Sequence, residues 1–144
     1  MTVRTPRLGV PAAFLAVAFA LALSGCGDST SATAPTTTSP VTETFTGQLV
    51  VGGSASHAFT AVSAGTVSVT LASLGPPADL MVGFGVGIPQ TNGASCLLSQ
   101  SVQTGAATSP QITVQVEAGT YCVRLYDLGT MKSPAAFTVT IVRP

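Results

Sequence analysis

Three cysteines and a single histidine are the side chains of this 144-residue chain best suited to nucleophilic, redox or metal chemistry. The cysteines are Cys26, Cys96 and Cys122, and the histidine is His57. One histidine excludes a zinc site built on two or three histidines. Neither Cys96 nor Cys122 has a cysteine or histidine at ligand spacing along the chain. The chemistry of each thiol therefore depends on the segment that surrounds it.

Cys26 directly follows a segment with the three-part layout of a secretion signal. Arg4 and Arg7 give it a positively charged start, and residues 8–23 form an apolar stretch that leads into small residues. This stretch is shorter than the about 20 apolar residues that a membrane-spanning helix needs. No second apolar run of comparable length follows it. We therefore predict a signal peptide over residues 1–25.

The last residues of this segment, Leu23, Ser24, Gly25 and Cys26, resemble a bacterial lipobox. The resemblance implies cleavage before Cys26, a diacylglyceryl group on its thiol and often a further acyl chain, such as palmitate, on its amine. More than one acyl chain is needed for stable membrane anchoring. Two alternatives are ordinary cleavage at residues 20–22, which would release the protein, and an uncleaved anchor. The first site lies inside the apolar stretch, and the length of that stretch disfavours the second.

Lipidation of Cys26 would leave Cys96 and Cys122 as a pair in an oxidising compartment, where disulfides persist. We therefore predict a disulfide between them, with a metal site or a reactive thiol as the alternative. On the chain-entropy model a loop of this size contributes about 3 to 4 kcal/mol to stability.

The charge balance limits the possible partners. After removal of the signal, five acidic residues face three basic ones, which gives a net charge of −2. Nucleic-acid binding needs a basic stripe, and the sequence has none. Calcium needs six or more oxygen ligands, several of them carboxylates, and the five acids are scattered. We therefore expect no nucleic-acid partner, no metal and no cofactor.

Residues 26–42 are predicted to be the lipidated cysteine and a linker. The run 29–40 is rich in Ser, Thr and Pro and has no apolar periodicity, so it cannot bury a core. We expect a disordered tether that holds the domain clear of the lipid headgroups. The same composition is also typical of O-glycosylation.

Residues 43–144 are predicted to form one all-β domain. In segments 67–71, 112–116 and 137–141, branched or aromatic residues alternate strictly with hydroxyl or amide residues, as in strands with one face on a core. Glycine and proline turn signals separate the segments. About eight short strands over this length predict a single antiparallel β-sandwich. The other five predicted strands are residues 45–50, 57–62, 80–88, 96–102 and 121–128.

This domain resembles the bacterial pre-peptidase C-terminal (PPC) domain. The matching segments are residues 55–60 and 64–71, Asp79-Leu80, and residues 119–125 and 133–141. The resemblance implies a compact jelly-roll-like sandwich of the kind usually appended to secreted proteases and other exported enzymes. Some relatives bind collagen or polysaccharide, in some cases with calcium. Here no peptidase domain is recognisable, and Ala78 replaces the acidic neighbour of Asp79.

A catalytic role finds little support in the residues. His57 would have to be the base of a serine hydrolase with Asp79 or Asp127, and the sequence has no Gly-x-Ser-x-Gly elbow. His57 shares a strand face with Phe59, which places it at the margin of the core. Paired carboxylates remain open, although no spacing favours them. We therefore expect no enzyme.

The segment 80–88 is a candidate binding surface because Gly83, Gly85 and Gly87 share one face. A bare face allows close approach of a flat ligand or of another backbone. We prefer the second interpretation, tight sheet packing beneath the segment that contains Cys96.

Arg124 and Tyr126 are the best exposed candidates for ligand binding, since they share a strand face with Cys122. Arg124 could equally pair with a carboxylate at a surface site, where an ion pair contributes little. The candidate partners are Asp79, Glu117 and Asp127.

Together these features predict a monomeric lipoprotein of the cell envelope with an accessory or interaction role. The alternatives are a lipoprotein that binds an envelope polysaccharide or protein, and a hydrolase with an unrecognised site. Gly27 follows Cys26, whereas the inner-membrane retention signal of enteric bacteria is an aspartate there. The outer membrane is therefore favoured, with the domain facing the periplasm or the cell exterior.

Overall fold

The computed structural model describes residues 39–91 and 95–144. The predicted signal peptide, the lipobox and most of the predicted linker lie outside these residues. The described residues contain no helix that is long and apolar enough to span a membrane.

Eight β-strands make up the described part of the chain, and each corresponds to a predicted strand. Their bounds are β1 Val41–Leu49, β2 Ser54–Ala61, β3 Gly65–Gly75, β4 Val82–Pro89, β5 Cys96–Thr104, β6 Ile112–Val116, β7 Gly119–Tyr126 and β8 Ala135–Arg143. The first strand starts at Val41, inside the range predicted as linker, because it pairs with β8 along its whole length. Sequence alternation could not indicate this, since the outward residues of β1 are as polar as those of the linker.

The strands form two antiparallel sheets of four, in the orders β1-β8-β3-β6 and β2-β7-β4-β5. The chain moves to the other sheet at nearly every connection. In the described residues only β4 and β5 are both consecutive in sequence and adjacent in a sheet. Two four-stranded sheets joined by such crossovers are the jelly-roll form of the β-sandwich, as predicted.

The core lies between the two sheets and is built from the alternating apolar positions. In β8 up to Ile141, and in β3 from Val67 to Leu71, every second residue is fully or almost fully buried, while the intervening residues are mostly Ser and Thr and are less buried. The inward residues of β4 and β7 complete the core from the second sheet. The largest fully buried side chains are Phe84, Leu49, Leu71, Ile112, Leu125 and Ile141.

The antiparallel pairing places the connections at two ends of the sandwich. The near end is where β1 begins and β8 ends, together with the β2–β3, β4–β5 and β6–β7 connections. The far end carries the β1–β2, β3–β4, β5–β6 and β7–β8 connections. Residues 1–40 therefore join the sandwich at its near end.

Candidate functional site

Cys96 and Cys122 form a disulfide, as predicted. Their Cα atoms are 5.8 Å apart, and the two residues are 3% and 2% exposed. The bridge joins β5 to β7, although β4 lies between these strands in the sheet order. Strands two places apart are about 9.6 Å apart in a regular sheet. The start of β5 must therefore leave the plane of the sheet to reach Cys122.

Gly87 is the residue that lets β5 do this. The pairing of β4 with β5 shifts register between Val86 and Gly87. A Cβ atom built on Gly87 would overlap the carbonyl group of Leu97. The backbone of β5 therefore lies over the outer face of β4 at this point, in the space that a side chain would need.

The other two glycines of β4 are covered as well. A Cβ on Gly83 would overlap the ring of Tyr126, and a Cβ on Gly85 would lie 2.8 Å from Cδ1 of Leu98. The glycine face is thus filled by the protein itself and offers no open floor for a flat ligand. Tight packing beneath the Cys96 segment, the preferred interpretation of this glycine pattern, is confirmed.

Arg124 and Tyr126 lie together on the outer face of β7. The sequence predicts both to be exposed, but both are half-buried. The Arg124 guanidinium carbon is 5.7 Å from the centre of the Tyr126 ring. Its Nη2 donates a hydrogen bond to Ser54 Oγ at 3.2 Å. Its Nε is buried and has no hydrogen-bond partner among the described residues. The Tyr126 ring lies over Gly83 of β4 and Arg124 bonds to Ser54 of β2, contacts that the sequence pattern of β7 alone could not indicate.

The suggested carboxylate partners do not pair with Arg124 in the described part of the chain. Asp127 instead organises the far end of the sandwich. Its Oδ2 accepts a hydrogen bond from Gly52 N–H at 2.7 Å, and its Oδ1 accepts from three successive N–H groups, those of Gly129, Thr130 and Met131. The hydrogen bond from the Gly52 N–H has the largest effect, and with those from the other three N–H groups it holds the pKa of Asp127 below its usual range.

A polar cluster that sequence reasoning did not predict joins the two sheets at their β1–β2 edge. Glu43 Oε1 lies 2.5 Å from Nε2 of His57, and Arg143 Nε donates to Glu43 Oε2 at 3.2 Å. The His57 ring stacks on Phe45 with 4.8 Å between ring centres. Arg143 also donates to the carbonyl oxygen of Thr60 at 2.6 Å. Glu43 and Arg143 are 100 residues apart, so only the pairing of β1 with β8 could reveal the contact.

The cluster makes stability depend on pH. The hydrogen bond from His57, and then that from Arg143, lowers the pKa of Glu43 from its usual 4.5. A carboxyl group with a lowered pKa stabilises the fold above its unfolded-state pKa, and this contribution is lost as the pH falls through the folded-state value.

Glu43→Gln is therefore expected to lower the free energy of unfolding by about 0.5 to 1 kcal/mol at about pH 7, and by progressively less as the pH falls below the usual pKa of 4.5. Urea unfolding across this range measures the difference. Glu117→Gln is the matched control, because Glu117 is exposed and forms no ion pair in the described part of the chain. A constant difference between Glu43→Gln and the wild type at all pH values would contradict the expectation.

No metal-binding constellation was found among the described residues, where no three His, Cys, Asp or Glu side chains converge. No pocket opens on the surface that these residues form.

No protein-family model matches the sequence, and no curated protein is similar enough to count as a match. The resemblances to lipoproteins and to the PPC domain therefore remain predictions.

Proposed function

We propose that the chain is a non-catalytic, lipid-anchored module of the bacterial cell envelope with an accessory or interaction role. The observation that carries this proposal is the buried disulfide between Cys96 and Cys122. Disulfides persist in oxidising compartments, so the bridge supports export. It also occupies two of the three cysteines, which leaves Cys26 as the one thiol available for a lipid.

The non-catalytic part of the proposal is supported by the contacts of the side chains that a hydrolase would need. The ring of His57, the single histidine, is hydrogen-bonded to Glu43 and stacked on Phe45. The carboxylate of Asp127 accepts four backbone hydrogen bonds. The contacts of His57 and Asp127 are thus those of residues that stabilise the fold.

Intact-mass analysis of the full chain, expressed in a bacterial host and extracted from membranes, tests the anchor. The expected species starts at Cys26, carries a diacylglyceryl group, has no free thiol and releases two thiols on reduction. Cys26→Ala should abolish both the lipid and the membrane association. A soluble product cleaved after residue 22, or a free thiol at Cys96 or Cys122, would contradict the proposal. Separation of inner and outer membranes tests the favoured location.

Ligand binding near Arg124 and Tyr126 is a second candidate function. The observation in its favour is the unpaired Nε of Arg124 beside an aromatic ring. In the sheet, Arg124 and Tyr126 pair with serines on β2 and with glycines on β4. A half-buried cation beside an aromatic ring suits a polysaccharide or protein segment that carries hydroxyl or carboxylate groups.

Binding of envelope polysaccharide fractions to the mature chain, with Cys26→Ser to prevent lipidation, tests this candidate. Saturable binding should be lost in Arg124→Gln and in Tyr126→Ala. It should persist in Thr140→Ala, a matched change on the outer face of the opposite sheet. Because Tyr126 covers Gly83, the unfolding transition of each variant must first be shown to match that of the control. Equal binding by all three variants would exclude this site.

A further inference from the structure

The β4–β5 hairpin is free of charge. No Asp, Glu, Lys, Arg or His occurs between Asp79 and Glu117, a stretch that contains β4, β5 and β6. Charged side chains are costly to bring into an apolar environment. The hairpin is thus a part of the surface that could contact such an environment without this cost.

The near end of the hairpin also exposes two large apolar side chains. Ile88 is 57% exposed and Leu97 is 64% exposed, and the two residues are register partners across β4 and β5. Single exposed apolar residues are ordinary on protein surfaces. Here two of them lie side by side near the loop-side ends of two strands that carry no charge. Val41 and Val62, 43% and 63% exposed, lie at the same end of the sandwich.

The position of this end relative to the chain before it indicates what could cover these side chains. Residues 1–40 join the sandwich at the near end, where β1 begins. Residues 27–40 can span at most about 50 Å even when fully extended. A lipid on Cys26 would therefore keep the near end within that distance of a bilayer. Tethering within this distance raises the effective concentration of the near end at the bilayer. A contact that is too weak to form between free partners can then be populated.

We propose that Ile88 and Leu97 rest at the boundary between headgroups and acyl chains of the membrane that holds the anchor. The inference rests on the proposed lipidation and adds a second, non-covalent contact with the lipid surface. Burial of the two side chains removes apolar area from water, and the hairpin brings no charge that must be dehydrated. The far end of the sandwich, with the loops that Asp127 organises, then points away from the bilayer.

The experiment uses the mature chain 26–144, coupled through the Cys26 thiol to a maleimide lipid in phosphatidylcholine–phosphatidylglycerol vesicles. Synthetic coupling replaces acylation by the cell, so the result does not depend on whether the cell lipidates Cys26. The chain contains no tryptophan, and a single introduced tryptophan therefore reports on its own surroundings. Leu97→Trp places the reporter on the hairpin. Val51→Trp is the matched control, since Val51 is 51% exposed at the far end.

Brominated lipids are expected to quench the Leu97→Trp variant at least twofold and to leave the Val51→Trp variant unchanged. Adding Ile88→Ser to the Leu97→Trp variant should reduce the quenching, while both proteins keep the unfolding transition of the parent. Equal quenching of the hairpin and far-end reporters, or none in either, would overturn the proposal. So would a blue shift of the Leu97→Trp variant that rises with protein concentration without vesicles, because a second copy of the chain would then cover the hairpin.

Discussion

Gly87→Ala is expected to lower the free energy of unfolding by about 3 kcal/mol or more and to hinder formation of the disulfide. The added methyl group would overlap the carbonyl group of Leu97. A flexible side chain could move aside, but this obstacle is backbone that is held on one side by pairing with β4 and on the other by the bond from Cys96 to Cys122. Relief would require β5 to move away from β4, and the cysteines would then separate.

Urea unfolding and thiol titration under non-reducing conditions measure the two effects of Gly87→Ala. Gly119→Ala is the matched control, because its Cβ would lie 3.6 Å from the nearest atom of Tyr121, an ordinary van der Waals contact. A compatible glycine-to-alanine change alters stability by less than about 1 kcal/mol. If Gly87→Ala were as stable as Gly119→Ala and had no free thiol, the start of β5 would not lie over β4 as described.

Removal of the disulfide by Cys96→Ala together with Cys122→Ala is expected to cost about 3.5 kcal/mol. The cysteines are separated by 26 positions, and opening this loop restores the entropy of the unfolded chain. Because both residues are almost fully buried, mild reductant should leave the bridge intact in the folded protein and open it in urea. Unfolding curves of the double variant and of the wild type, with and without reductant, measure both effects.

The two changes act on one feature and should not be additive. Once the cysteines are gone, β5 is free to move away from Gly87, so Gly87→Ala should cost less in the Cys96→Ala, Cys122→Ala background. A double-mutant cycle measures this coupling. Full additivity would mean that the glycine and the disulfide stabilise the domain independently.

The strands could be predicted from the sequence because their alternation is local. In β3 and β8 the inward positions are apolar and the outward ones are mainly Ser, Thr and Ala, so the sandwich follows from pattern and length. The pairing of Cys96 with Cys122 could also be predicted, because the resemblance to a lipobox assigns the third cysteine, Cys26, a separate role. The strand prediction needs only residues that are adjacent in the chain, and the disulfide prediction needs only the number of cysteines and that resemblance.

The polar contacts could not be predicted because they depend on the order of strands in the sheets. Glu43 meets Arg143 through the pairing of β1 with β8 and meets His57 across the two sheets. The same limit applies to Arg124, which bonds to Ser54 on the neighbouring strand β2. The glycines of β4 form an intermediate case. Their shared face was visible in the sequence, but the groups that cover it, Leu97 and Tyr126 among them, were not.

The Glu43 cluster lies close to the residue at which the preceding chain enters the sandwich, and this position has a mechanical consequence. A pull through the residues before Val41 would act on β1 at the near end, whereas the loops most remote from Val41 lie at the far end. Tension between those two ends runs parallel to β1. The ladder between β1 and β8, whose hydrogen bonds are perpendicular to the strands, is then loaded in shear, so that its bonds share the force. Glu43, near the start of β1, ties the loaded strand to Arg143 in its own sheet and to His57 in the other. The domain is thus braced against peeling at the point where a tether would pull on it.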